Sequence, residues 1–392
     1  MELQELVRDI DQLEESGDLS ADIVSVDYDS RKVNAGSLFV AIRGFVADGN
    51  RFIADAVRKG ARAIVTDERA IEADVPIVVV PDARKALAII ADRFFGNPQN
   101  SLVMTAVTGT NGKTTTAYLT KSIFEAHGVA CGLIGTIEHI VGSKRIVSVN
   151  TTPESADIHS FLAQMVKAKQ SACVMETSSH ALELSRVYGI QFRAAAFTNI
   201  TQDHLDFHGD FKSYLEAKSH LFGSLSGDST AVINADDPNA GYIRDVARDG
   251  KILTYGFTKG CDMYPVSFDL DFRGSTVELS TPAGTIGFKL SIPGKVNIYN
   301  AMAAAGIALA CGLPVDSIVS GLEAVQSIRG RYGIIDEGQD FTVVVDYAHT
   351  PDALEQILAS VREISKARLI SVFGCGGDRD RGKRPLMGEI ST

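Results

Sequence analysis

What this chain lacks narrows it first. No apolar run approaches the ~18 residues that a spanning helix needs, so no segment reads as membrane-embedded. The start, Met1-Glu-Leu-Gln-Glu-Leu-Val-Arg-Asp9, is acidic and helix-like and has none of the layout of a signal peptide. Positive charge is in deficit: 38 Lys and Arg stand against 49 Asp and Glu, a net charge of −11. A nucleic-acid partner needs a basic footprint, so that class is set aside. Cysteine is sparse. Cys131, Cys173, Cys261, Cys311 and Cys375 are odd in number, scattered and without CxxC spacing. They form neither a disulfide framework nor a zinc ribbon, and read as reduced, buried thiols of a cytoplasmic protein.

What is present is most concentrated between Val103 and Thr116. A short apolar run ends in Gly109-Thr110-Asn111-Gly112-Lys113-Thr114-Thr115-Thr116, followed by a helical pattern. A Gly-rich turn opening a helix lets backbone N–H groups approach phosphate oxygens. Lys113 adds a point charge near the terminal phosphates, and the Thr114 hydroxyl can hold Mg²⁺. Two residues separate the glycines, where the usual P-loop has four.

A length of 392 residues predicts two or three domains. Residues 1–98 read as a small α/β unit with apolar runs at 38–42, 63–65 and 77–80 and helices over 52–59 and 83–95. Asn97-Pro98 breaks the chain. Residues 99–328 hold buried runs at 103–107, 132–137, 173–175, 194–197, 231–233 and 252–255, which predict a doubly wound sheet. Within them, 266–292 alternates Val266, Phe268, Leu270, Phe272 and then Ile286, Phe288, Leu290, Ile292 with polar residues, which predicts an antiparallel insert. Helices follow near 296–311 and 314–325. Residues 329–392 begin a third α/β unit, with strands at 341–345 and 369–373 and a helix after Pro351. Half a domain cannot bury its own sheet, so this unit is expected to be incomplete at Thr392.

Several clusters carry chemistry. Glu176 ends an apolar run, at the edge where open α/β sheets bind ligands, and is a candidate Mg²⁺ ligand. Asp203, His204, Asp206 and His208 crowd one loop. Zinc would fit two histidines, though HExxH spacing is absent; a single His beside a phosphate-bound Mg²⁺ fits as well. Lys218 sits in an apolar helix stripe with Phe211, Tyr214, Leu215, Leu221, Phe222 and Leu225. It either snorkels to water or is driven toward the neutral amine, which can act as a nucleophile or combine with CO₂ to form a carbamate. Asn150-Thr151-Thr152-Pro153 either holds a ligand or caps a helix. Asp346-Tyr347-Ala348-His349 and Gly374–Pro385, the latter with Arg379, Arg381, Lys383 and Arg384, follow successive strands. The second loop suits carboxylates or phosphates.

Taken together these residues resemble the Mur ligase family, ATP-dependent amide ligases of peptidoglycan synthesis. The short GTNGKTT loop is that family's form of the P-loop. The likeness runs through Asp29-Ser30-Arg31, NTTP, METSSH, DHLDFHGDFKSYLEAK, Asn234-Ala-Asp-Asp-Pro238, Gly294-Lys-Val-Asn297-Ile-Tyr-Asn300, DYAHTPDAL and FGCGGDRDRGKRPLMG. It is nearest to the MurE branch, which adds the third residue of the stem peptide to UDP-N-acetylmuramoyl-L-Ala-D-Glu. The resemblance implies a three-domain architecture: 1–98 for the UDP-substrate, 99–328 for ATP, and 329–392, incomplete, for the amino acid.

It also implies roles. Ser30 and Arg31 would contact the UDP part, and Asn150, Thr151, Thr152, Ser179 and Arg186 the muramoyl-dipeptide. Gly109, Thr110, Asn111, Gly112, Lys113, Thr114, Thr115, Asn297, Asn300, Arg331, Asp346, Tyr347 and His349 would surround ATP. Thr114, Glu176 and His204 would serve one Mg²⁺, and Lys218, as a carbamate, a second. Lys113, Lys218 and His204 would be the catalytic set, and Arg379 would face the incoming amino acid. That residue is expected to be meso-diaminopimelate, from the GCGGDRDRGKRP loop, with lysine or another diamino acid as the alternative. Other Mur-superfamily ligases, among them folylpolyglutamate synthase, are further alternatives, as is a nucleotide- and UDP-substrate-binding fragment without turnover. The family further implies a cytoplasmic monomer serving cell-wall synthesis, cell shape and division.

Overall fold

The computed structural model describes residues 1–44, 47–375 and 382–392. Two compact units emerge: Met1–Leu102 with Thr152–Lys169 and His180–Gln191, and Val103–Thr151 with Gln170–Ser179 and Phe192–Thr392.

The first unit is built on a five-stranded sheet. Its strands are β1 (Glu14–Ser16), β2 (Ser25–Asp27), β3 (Ser37–Ala41), β4 (Ala63–Thr66) and β5 (Ile77–Val79), in the order β1-β5-β4-β3-β2. All pairs are parallel except β1 with β5. A sheet buried on both faces needs continuous apolar strands, and alternate residues then serve opposite cores. Leu38, Val40, Ala63, Val65 and Val78 pack with Leu87 and Ile90 of the helix Ala83–Phe94. Phe39, Ala41, Ile64, Ile77 and Val79 pack on the other side with Ile53 and Ala56. Asp82 caps that first helix by accepting from the Arg84 and Lys85 backbone N–H groups.

The second unit carries an eight-stranded sheet. It comprises β6 (Val103–Thr108), β7 (Cys131–Ile134), β8 (Glu138–Val141), β9 (Lys144–Val147), β10 (Ala172–Glu176), β11 (Ala194–Phe197), β12 (Thr230–Asn234) and β13 (Lys251–Tyr255). The order is β13-β12-β11-β6-β10-β7-β8-β9, parallel through β7 and antiparallel over the last two. The parallel core puts the carboxyl ends of β6, β10, β11 and β12 on one edge, the edge where such sheets bind ligands. The helices Lys113–Ala126, Lys295–Ala310 and Val315–Ala324 pack into one core through Leu119, Ile123, Ile298, Met302, Ile318 and Leu322.

The antiparallel insert forms as β14 (Tyr264–Asp271), β15 (Gly274–Thr281) and β16 (Gly284–Leu290). Val277, Leu279, Ile286, Phe288 and Leu290 make its buried face, while Val266 and Phe268 of the edge strand β14 are exposed. After the linker, β17 (Gly333–Ile335) pairs with β18 (Val343–Val345), followed by the helices Pro351–Ile364 and Lys383–Ile390. The expected strand at 369–373 does not form. It has no ladder partner among the described residues, and Val372 is 95% exposed. Burial of all five thiols also fails: Cys131 and Cys173 are buried, while Cys261, Cys311 and Cys375 are only partly so.

Candidate active site

The loop after β6 is shaped by two glycines. Gly109 has φ +150° and Gly112 φ +85°, and both face crowded neighbours. A Cβ on Gly109 would lie 1.9 Å from Thr198 Oγ1, and one on Gly112 2.4 Å from Asn300 Oδ1. Only glycine permits this path. The strand-end residues of β11 pin the loop. Thr110 N donates to the Asn199 carbonyl and Asn111 N to Asn199 Oδ1, both at 2.9 Å, while Thr198 Oγ1 donates to the Asn111 carbonyl at 2.6 Å. The helix Lys113–Ala126 begins at once, so its first N–H groups and those of the loop converge. Lys113 is half-buried, and its Nζ donates to the Gly109 and Thr110 carbonyls at 2.8 Å each.

Glu176 closes β10 fully buried. Thr114 Oγ1 donates to its Oε2 at 2.9 Å, Thr136 Oγ1 to the same oxygen at 2.8 Å, and Thr136 N to Oε1 at 2.9 Å. Arg331 Nη2 donates to Thr114 Oγ1 at 3.0 Å. A hydroxyl and a carboxylate, side by side and already facing a guanidinium charge, are the hard oxygen ligands that suit Mg²⁺. Thr136 and Gly135 escaped the sequence reading. A Cβ at Gly135 would lie 2.4 Å from Glu176 Oε1, so glycine is what admits the carboxylate here.

Lys218, on the helix Phe211–Gly223, is 1% exposed. Its Nζ donates to the Gly109 carbonyl at 2.9 Å and lies 4.7 Å from the Tyr214 ring centroid. Burial, and then the nearby Lys113 charge, hold the amine well below its ordinary pKa. Snorkelling to water is therefore excluded by the geometry. The stripe around it differs from expectation: Tyr214, Leu221, Phe222 and Leu225 are buried, whereas Phe211 is exposed, since it opens the helix. His204 has φ +54°, with Nε2 3.4 Å from Asp203 Oδ2; burial lowers its pKa, against the raising charge of Asp203. His208 Nε2 lies 2.9 Å from Ser179 Oγ. Among the described residues, no three His, Cys, Asp or Glu side chains are grouped to hold a metal.

Beside the loop lies a cavity of about 260 Å³. Asn111, Thr115, Asn297, Asn300, Arg331 and Asp346 line it, together with Tyr299, Asp352 and Gln356, which sequence reasoning had not singled out. Asn300 Nδ2 donates to Asn297 Oδ1 at 3.0 Å. Asp346 accepts from the Tyr332 and Ala348 N–H groups, both at 2.8 Å. Tyr347 and His349 meet edge to face, 4.9 Å between ring centroids, but are not lining residues; the Arg331 guanidinium lies over the Tyr347 ring at 5.2 Å.

In the first unit, Ser30 is buried and its carbonyl accepts from Lys59 Nζ at 2.9 Å. Arg31 is exposed and paired with Asp29 at 2.8 Å. Arg186 Nη1 donates to the Thr152 carbonyl at 2.9 Å, and Nη2 lies 2.8 Å from Glu154 Oε1. The NTTP turn does not cap the helix Ser155–Lys167, whose N-cap residue is Glu154. In the second unit, Asn150 is exposed and Thr151 partly buried, with its hydroxyl 3.1 Å from Thr136 Oγ1. Arg379 lies outside the described residues.

The comparisons with known proteins agree along the chain. Residues 22–95 match the family model described as Mur ligase family, catalytic domain; 107–308 match Mur ligase middle domain; 330–392 match Mur ligase, glutamate ligase domain. The chain is 42% identical to a UDP-N-acetylmuramoyl-L-alanyl-D-glutamate--2,6-diaminopimelate ligase of Bacillus licheniformis, over 96% of this chain and 78% of that protein. It is 44% identical to one from Clostridium acetobutylicum, over 100% and 81%. A solved structure of a ligase of the same name superposes with a TM-score of 0.81 at 31% identity, over 100% of this chain and 80% of that one. With its loop, its buried carboxylate and three matching family models in order, the chain belongs to the Mur ligase family.

Proposed function

We propose that the chain is an ATP-dependent ligase that joins meso-diaminopimelate to the D-Glu γ-carboxylate of UDP-N-acetylmuramoyl-L-Ala-D-Glu in peptidoglycan synthesis. The observation that carries this is the buried Glu176–Thr114 pair at the mouth of the Gly109–Gly112 loop. The names of the relatives support diaminopimelate over lysine. The three-part division at 98/99 and 328/329, a cytoplasmic location and a monomeric state belong to the same reading. No helix among the described residues is long and apolar enough to cross a membrane.

A carboxylate is a poor electrophile, so it must be activated. A γ-carboxylate oxygen attacks the terminal phosphorus of ATP; the new P–O bond forms as the bond to ADP breaks, giving an acyl phosphate. The diaminopimelate amine then attacks the acyl carbon, loses a proton, and phosphate leaves as the C–N bond is made. Lys113 and the loop N–H groups hold the transferring phosphate. Thr114, Glu176 and His204 would hold one Mg²⁺, which neutralises phosphate oxygens. Lys218, as its carbamate, would hold a second: the neutral amine adds to CO₂, an N–C bond forms, a proton is released, and the carboxylate left has two oxygens sharing one negative charge. Asn297, Asn300, Arg331, Asp346, Tyr347 and His349 serve the nucleotide. Ser30, Arg31, Asn150, Thr151, Thr152, Ser179 and Arg186 serve the UDP-dipeptide, and Arg379 the incoming amino acid.

ADP and phosphate should appear only when ATP, the UDP-dipeptide and meso-diaminopimelate are all present. Equal release with ATP alone, or release driven by a folate, would sink the assignment.

A further inference from the structure

The hydroxyls around Glu176 form a chain whose direction can be worked out. Thr136 Oγ1 lies 2.8 Å from Glu176 Oε2 and 3.1 Å from Thr151 Oγ1. A carboxylate accepts only, and a hydroxyl has one proton. Thr136 gives its proton to Glu176, so in the Thr136–Thr151 bond Thr136 is the acceptor and Thr151 the donor. Thr114 likewise gives its proton to Glu176 Oε2. Its remaining capacity is acceptor only, as the Arg331 contact shows.

The placement has a structural cause. Ile134 at the end of β7 sits opposite Met175 of the parallel strand β10, so the next residues of each strand, Gly135-Thr136 and Glu176, meet. Gly135 clears space for the carboxylate, and Thr136 grips both of its oxygens.

We infer that Thr136 is a positioning residue that orients two ligand-facing hydroxyls through one carboxylate: Thr114 as an oxygen donor toward a cation, and Thr151 as a hydrogen-bond acceptor toward the substrate. Thr151 then has no proton to offer a substrate carboxylate. It reads a hydrogen-bond donor of the UDP-dipeptide, an N–H or O–H, and not a carboxylate. This inference rests on the proposed function for the identity of that ligand, but not for the geometry.

The test uses the whole chain and binding measurements, so turnover is not required. Titration calorimetry gives the affinity for the UDP-dipeptide, and for a non-hydrolysable ATP analogue at graded Mg²⁺. Thr136→Val removes the hydroxyl and keeps the backbone N–H. It should weaken UDP-dipeptide binding and raise the Mg²⁺ requirement for nucleotide binding, each by about tenfold or more, as lost support for ligating groups does. Thr136→Ser should restore both to within about twofold. Thr151→Val should weaken the dipeptide only, and the double variant should bind it no worse than the poorer single variant. Thr136→Ala removes the same hydroxyl and serves if Thr136→Val does not fold.

Normal binding by Thr136→Val, equal damage from Thr136→Ser, or additive losses in the double variant would overturn the inference. If the unaltered chain binds Mg²⁺-nucleotide but no UDP-dipeptide, the functional reading fails instead. The Mg²⁺ requirement then decides the role of Thr136 alone.

Discussion

At the scale of single residues, burial sets the chemistry. Lys218 reaches the back of the phosphate loop with its amine out of water, where an ammonium is costly and a neutral amine is favoured. Lys218→Ala should therefore be nearly inactive, and a small carboxylic acid should partly restore it by filling the space with an oxygen ligand. Failure of every acid tested, with the protein folded, would count against the carbamate. Cysteine reactivity gives a second expectation. Burial pushes the Cys131 thiol well above its ordinary value and Cys173 up to about 12. A raised thiol pKa means less thiolate, so neither should be alkylated in the native state at about pH 8, and both should be on unfolding. Mass mapping of the labelled sites checks this; native labelling at either would contradict it. Glu176 and Lys218 were legible because each breaks a local apolar pattern. Gly135 and Thr136 were not. They reach Glu176 only through a parallel pairing some 40 residues distant, and nothing in their own surroundings announces it.

At the scale of elements, the sequence patterns served best where strands are fully buried. β3, β4, β6, β10, β11 and β12 were visible as apolar runs because both faces meet a core. The edge strands β1 and β9 were missed, since one side meets water and charges interrupt them, and β8, between β7 and β9, was missed because it is short and begins with Glu138 and His139. The run at 369–373 had the right composition and no partner, a reminder that a strand is a pairing and not a property of its own residues. The helix Pro351–Ile364 shows what a site gains from an anchored element. Thr350 caps it, and Asp352 in its first turn accepts from Asn111 Nδ2 at 2.5 Å and Thr201 Oγ1 at 3.0 Å. Asp352→Ala should loosen this turn from the phosphate loop. Hydrogen exchange should rise over 351–354 and 109–112 while the strands of the central sheet stay protected, and nucleotide affinity should fall several-fold. Unchanged exchange at both segments would show that the contact anchors nothing.

At the scale of the whole molecule, the parallel sheets set ligand-binding edges at the carboxyl ends of their strands. The chain spans about four-fifths of the length of the relatives it matches. The nucleotide loop, the buried carboxylate and the buried lysine all lie in the second unit, on the carboxyl edge of one sheet. That arrangement serves phosphoryl transfer to a carboxylate, which is the central claim. The most direct measurement uses UDP-N-acetylmuramoyl-L-Ala-D-Glu labelled with oxygen-18 in the γ-carboxylate, incubated with ATP, Mg²⁺ and meso-diaminopimelate. An acyl phosphate passes one carboxylate oxygen to phosphorus before the amine displaces it. The account predicts one labelled oxygen in the released phosphate for each amide bond formed. Amide product accompanied by unlabelled phosphate would contradict it.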